Sequence, residues 1–536
     1  MMRLQKNLAT QLLVGCVLLA SCRDRARQWN AALEIKMSGL QHAVALLDAE
    51  ANRVVMLSVP SAQHLTQVAL PIGRNVQATA VSADGSKLFV LCAGKARPAP
   101  GSRTAAGEPA FEDPSLTVID GATSTVLDRV QLATPLAQLA VDPLGRWVVA
   151  YGAPQDTSTL LSNPNALVIF DTQAPVSAAN PTLRTLRSFG GTPQHIDFTQ
   201  SLTLAKGARR LLVISTERDV ALLDLDHVAD LPVRPEVTVR LTTATQTTTS
   251  TPAGVIDDNF QIPRIAIRLA TDDNVVMLDL VTPEANDGNP NDFTPRINLV
   301  DVGGVASAIA FVQTDAGRRL LALVPSKQSA MLADPETSSV TSLTLPASYA
   351  NLSLLAPQGG IDTALLWNGT AAQSGVALLS LGATAARPYD SVEVLGIEAP
   401  IAAVVDVPAP HAGLKILQTS GGGGLYVLNL SDRTAAPLVS THANTQVTVA
   451  AGDATAWVFA PETTQLAALD LATLHPQQLS VDAPLGGVFD VLRSDGTHAL
   501  IAIHNQGLYA ATVFDAASAS SLTSRFYTAV LLGDLP

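Results

Sequence analysis

A chain of 536 residues with 47% apolar and 15% charged side chains has ample material for a large core, which excludes a disordered chain. A net charge of −13, a pI near 5.1 and no Lys/Arg cluster beyond the N-terminal segment exclude the basic stripe that nucleic-acid binding requires. Aromatic residues make up 4%, which lowers the expectation of sugar binding and base stacking, since both favour flat aromatic faces.

The chain begins with Arg3 and Lys6, continues with an apolar stretch over residues 8–19, and closes it with Leu19-Ala20-Ser21-Cys22. A basic start, an apolar segment of secretory length and small residues before a break read as a targeting segment, too short to span a bilayer as a helix. With cysteine directly after Ala-Ser, the segment resembles the lipobox of bacterial lipoproteins. The resemblance implies cleavage before Cys22, acylation of Cys22 and attachment to a membrane of the bacterial envelope. Arg23, standing where retention at the inner membrane usually involves aspartate, favours the outer membrane by the same analogy. Acyl chains, at about 0.8 kcal/mol per buried methylene, hold such a protein to one leaflet. The expected division is a signal peptide over 1–21, a polar tether over 22–40 and a repeat domain over 41–536. With Cys16 removed and Cys22 modified, Cys92 has no intrachain partner and reads as a buried, inert thiol in the apolar run KLFVLCAG.

From His42 onward one phrase recurs. An apolar run of strand length ends in a small polar residue, then a turn, then a second β-branched run. LTVIDGATSTV at residues 116–126 is the clearest copy. The closing polar residues are Ser58, Asp120, Asp171, Asp224, Asp279, Asp334, Ser380, Asn429, Asp470 and Asp515. Ticks at roughly fifty-residue spacing are a repeat, and a repeat sets the architecture. Each unit carries four runs of four to eight residues rich in Val, Leu, Ile and Thr, which predict strands, and no stretch keeps a helical period. Ser82-Ala83-Asp84-Gly85, Asp142-Pro143-Leu144-Gly145, Thr314-Asp315-Ala316-Gly317 and Arg493-Ser494-Asp495-Gly496 put glycine where a hairpin needs positive φ. The polar residue after each third strand is expected to cap its turn by accepting a hydrogen bond from backbone two residues on.

A four-stranded unit with an SxDG-like turn and a VIDxxT-like third strand resembles the YVTN and related WD-like β-propeller repeats. The resemblance covers nearly all of the chain after the N-terminal segment and implies an all-β fold of about ten blades. One wide ring is favoured, because no Pro/Gly linker divides the units. Two tandem rings, or seven to eight blades plus extra hairpins, also fit.

Three insertions break the rhythm, at residues 95–114, 241–252 and 283–295, and read as tolerated surface loops or binding loops. In the last, Asn286, Asp287, Asn289 and Asp292 are candidate oxygen ligands for calcium, although their spacing departs from the EF-hand loop. Asp257-Asp258 and Asp272-Asp273 read as solvated turn acids. His498 and His504 share one strand face but stand about 20 Å apart, too far to share a metal ion. The glycine run at 421–424 lacks the Lys-Ser/Thr of a phosphate cradle and reads as a hairpin turn. No GxSxG, HExxH, CxxC or P-loop motif is present, so no catalytic residue is assigned. The four tryptophans keep no repeat register, which disfavours a quinoprotein-like propeller. The expected function is a non-catalytic, lipid-anchored scaffold for protein or envelope polymer. The alternatives are a lactonase- or hydrolase-like propeller enzyme and an outer-membrane assembly factor.

Overall fold

The computed structural model describes residues 35–529 except 62–63, 96–110, 153–162, 175–180, 188–190, 242–249, 260, 285–288, 359, 371–374, 383–390, 398, 421–423, 441, 443–444, 450–454, 505–509 and 516–524. The strands assemble into ten antiparallel four-stranded sheets, each built from one contiguous stretch with its strands in chain order, apart from an extra hairpin inserted in the fourth. We number these blades 1–10: residues 36–71, 76–131, 138–185, 195–240, 252–301, 308–344, 351–395, 401–439, 446–480 and 485–529.

Burial follows position in the blade. Second and third strands are apolar on both faces because each sheet is sandwiched between two neighbours. Trp147–Tyr151 and Leu211–Ser215 are buried at every position. Fourth strands alternate, as in Thr125–Gln131, where a blade thins out toward solvent. First strands are half-buried, as in Val76–Val81, and touch first strands of adjacent blades, which places them around the axis.

Successive side chains point to opposite faces, so each central strand serves two blade boundaries. In His498–His504, Ala499, Ile501 and Ile503 pack on blade 1, while Leu500 and Ala502 pack on blade 9. Among the described residues ten apolar clusters result, one at each boundary between consecutive blades and one joining blade 10 to blade 1. The seam also carries polar bonds: His42 Nδ1 lies 2.8 Å from the Leu492 carbonyl oxygen, and Leu492 N–H donates to Gln41 O at 2.7 Å. This last cluster decides between the three arrangements. The fold is a single closed ten-bladed β-propeller.

The four turn glycines, Gly85, Gly145, Gly317 and Gly496, all take positive φ. In the first of these turns Gly85 N–H donates to Ser82 O at 2.8 Å, and the Ser82 hydroxyl donates to Asp84 Oδ1 at 2.6 Å. Lys36–Gly39, expected within the tether, is instead the first strand of blade 1 and pairs with Val44–Asp48. The apolar pattern there is weak because an inner strand is half-buried and needs few large side chains.

Candidate functional site

Antiparallel order puts the hairpins between first and second strands, and those between third and fourth, on one face of the ring. The carboxyl ends of the inner strands meet around the axis on that face. The expected turn caps are there. Asp171 accepts from Gln173 N–H at 2.9 Å, Asp334 from Glu336 N–H at 2.8 Å, Asn429 from Ser431 N–H at 3.0 Å and Asp470 from Ala472 N–H at 2.8 Å. Asp279 departs from this role. Buried Arg264 donates Nε–H to Asp279 Oδ1 at 2.8 Å, and Arg296 and Asn298 reach Oδ2 at 3.0 and 2.8 Å.

Polar groups at the axial mouth fasten one blade to the next or one strand to its neighbour. Asp142 is fully buried and bound by both Nη atoms of Arg210 from blade 4. Burial alone would raise its pKa; the Arg210 hydrogen bonds and charge and the backbone N–H donors outweigh that and hold it below the usual carboxylate range. Asp258 takes two bonds from Arg318 of blade 6, at 3.1 and 3.2 Å. Asp406 pairs with Lys415, and Asp490 with His498 at 2.8 Å.

The reading of Asp257-Asp258 as solvated turn acids is corrected here. Both lie on the inner strand Pro252–Asp258, and adjacent strand positions face opposite ways. Asp258 therefore turns to blade 6, while Asp257 turns to blade 4 and accepts from Gln200 N–H at 2.8 Å. Burial, with the Asp258 charge adding to it, holds the Asp257 carboxyl above its ordinary range despite that bond. Asp197, on the inner strand of blade 4, is also raised by burial, against the opposing pull of His195, whose Nε2 lies 3.2 Å away. Two carboxyls on adjacent inner strands are thus biased toward the protonated form. Asp272 caps a turn as expected, accepting from Asn274 N–H at 2.8 Å.

Of the candidate calcium ligands, Asn286 and Asp287 lie outside the described residues. Asp292 is 1% exposed and faces Lys206 Nζ at 2.9 Å, Arg209 Nη2 at 3.2 Å and Arg234 Nη1 at 3.6 Å. Burial would raise its pKa, but these three cations hold it below the usual range. A hard cation would have to displace them. Asn289 donates to Phe293 O at 3.0 Å and accepts from Asn291 N–H at 2.9 Å, so its amide holds the loop's own backbone. Nearby Asp224 is raised by burial, opposed by His227 at 2.7 Å. The inserted hairpin Leu202–Leu204/Gly207–Arg209, the 225–236 excursion of blade 4 and residues 289–293 of blade 5 are thereby clamped together. Sequence reasoning missed this cluster because its members come from three separate insertions. Among the described residues, no three His, Cys, Asp or Glu side chains stand together where they could hold a metal ion.

His498 and His504 share a strand face but not a site. His504 is fully buried, with Nδ1 2.8 Å from Ala483 O and Nε2 2.7 Å from the Thr512 hydroxyl. Burial pushes its pKa down, against weaker raising contributions from backbone hydrogen bonds and Asp482. The folded state therefore favours the neutral ring, and the unfolded state takes up the proton first as pH falls. Its stabilising contribution is present above the unfolded value of about 6.5 and is lost as pH drops below it. Protection of the blade 10 amides, measured relative to the intrinsic exchange rate at each pH, should fall below that pH, and His504→Gln should flatten the response. An unchanged profile in the variant would remove His504 as its source. Cys92 is buried, and its thiol is pushed up to about 12, chiefly by that burial. Cys22 lies outside the described residues.

Fold and site together define a ten-bladed propeller whose axial charges are largely engaged in holding it together. No protein-family model matches the chain, and no curated protein sequence does. Among solved structures it is similar to dihydro-heme d1 dehydrogenase NirN in complex with DHE, at 13% identity and a TM-score of 0.39 over 93% of this chain and 76% of that one. It is also similar to apo AztD from Citrobacter koseri, at 12% identity and a TM-score of 0.33 over 69% of this chain and 93% of that one. The β-propeller domain of Cps50 (Swd1) from Myceliophteria thermophila matches at 13% identity and a TM-score of 0.33, over 77% of this chain and 98% of that domain.

Proposed function

We propose that this chain is a rigid binding scaffold, anchored to a bacterial envelope membrane through acylated Cys22, whose partner is a protein or an envelope polymer. The observation that carries the scaffold reading is the outer edge of the ring. Leu127, Leu183, Ile297, Leu299, Val340 and Val394 stand exposed on the fourth strands of blades 2, 3, 5, 6 and 7. Apolar side chains exposed along an outer edge are material for a protein interface. A closed ring loses little conformational freedom on binding, and an acyl anchor concentrates it at one surface. The lipobox-like segment supports the anchor, and the departure from aspartate at Arg23 supports the outer membrane.

Two experiments test this. Cys22→Ala should leave the ring folded and move the protein from the membrane to the soluble fraction; retention on membranes after a high-salt wash would refute the anchor. A photo-crosslinking residue at Leu299 should give a discrete adduct in cells that Ile297→Ser abolishes. Absence of any adduct from Leu299, Val340 and Val394 would overturn the reading of the outer edge.

Asp197 and Asp257 favour a second reading, a hydrolase of the lactonase-like kind. Carboxyls raised above their ordinary range on adjacent inner strands are suited to proton transfer. Lactone or ester hydrolysis that is lost in both Asp197→Asn and Asp257→Asn, with folding intact, would move the assignment there.

A further inference from the structure

A pocket of about 580 Å³ opens between blades 1 and 2, on the face opposite the axial mouth. It lies within the size range of small-ligand sites. Its walls come from the turn before the third strand of blade 1, the link between the two blades, and residues 111–115 and the fourth strand of blade 2.

Among the described residues its charges balance. Glu112 accepts from Arg129 Nη2 and lies 3.4 Å from Arg74 Nε, and Arg129 Nε–H donates to the Ser115 hydroxyl at 3.3 Å. Among the described lining residues, two guanidiniums therefore stand with two carboxylates, since Asp113 also lines the wall. An anionic ligand would compete with Glu112 and meet Asp113. A cationic ligand would compete with the arginines. A neutral ligand bearing several hydroxyls gains from both signs, because it donates to the carboxylates and accepts from the guanidiniums without breaking their pairing. Asn52 and Gln131 add two amides, each both donor and acceptor.

Phe111 supplies the remaining component. At 37% exposure it is the one aromatic residue among the exposed large apolar side chains of the described residues, and it stands on this wall. An aromatic face beside paired planar polar groups suits a sugar ring, whose C–H face packs on the phenyl while its edge hydroxyls reach the polar groups. The low aromatic content of the whole chain does not oppose this, since one ring in the right place suffices.

We infer that this pocket binds a neutral saccharide unit. The inference is independent of the outer-edge reading, which concerns other residues. Calorimetric titration of the purified full-length chain with maltose, cellobiose and N,N′-diacetylchitobiose tests it, alongside sodium acetate and phosphate. Saturable binding of at least one disaccharide is expected, weakened about tenfold by Phe111→Ala and by Gln131→Ala while the melting temperature stays unchanged. The inference is overturned if none of the three binds at about 10 mM, a concentration that reaches weak sugar sites. It is equally overturned if binding survives in both variants, or if acetate or phosphate binds in place of the sugars.

Discussion

Asp279→Ala should cost about 3–5 kcal/mol, the loss expected when one partner of a buried ion pair is removed. Arg264 is 1% exposed, so without Asp279 its Nε–H faces protein rather than water, and the remaining ion pair, Nη2 to Glu336 at 2.5 Å, reaches an exposed partner. Arg296 and Asn298 lose their shared acceptor in the same step. Amide exchange in Arg264–Leu269 and Asn274–Val281 reads the effect directly, because opening there is local to blade 5 and its neighbours. Arg296→Ala should cost much less, since that side chain is largely solvated. Equal losses in the two variants would show that the Arg264–Asp279 contact is not the dominant one.

Ile501→Ala should destabilise the ring seam by about 2–5 kcal/mol, the range for truncating a fully buried aliphatic side chain. Ile501 packs with Val44, Leu46, Val55 and Leu57 of blade 1, more than four hundred residues away in the chain. Among the described residues no strand crosses from blade 10 to blade 1, and this cluster and the bonds of Gln41 and His42 to Leu492 join the two blades. Exchange should therefore rise in Val44–Asp48 and Arg53–Ser61 as well as in His498–His504, and stay unchanged in Gly317–Val324 on the far side of the ring. A rise confined to blade 10 would mean that the ring does not close there.

Much of the architecture was written locally. Apolar runs of strand length, glycines at positive φ and an acid after each third strand are short-range signals, and each blade is one contiguous stretch that carries all of them. The caps at Asp171, Asp334, Asn429 and Asp470 formed as their spacing required. Asp279 did not, because an arginine on the neighbouring strand offers its carboxylate a stronger bond than a turn N–H does. The first strand of blade 1 escaped notice for a related reason: Lys36–Gly39 is stabilised by pairing, not by an apolar pattern.

By itself, then, the sequence determined an all-β repeat of about ten four-stranded units, a lipobox-like start and an acidic net charge. Periodicity and composition express those properties within a few tens of residues. Tertiary structure alone decided that the units close into one ring, that Asp257 and Asp258 face different blades, and that Asp292 sits among three cations. The same holds for the pocket that joins Asn52 to Gln131. Each of these depends on which surfaces meet between blades, and side chains that meet across a boundary carry no shared local pattern.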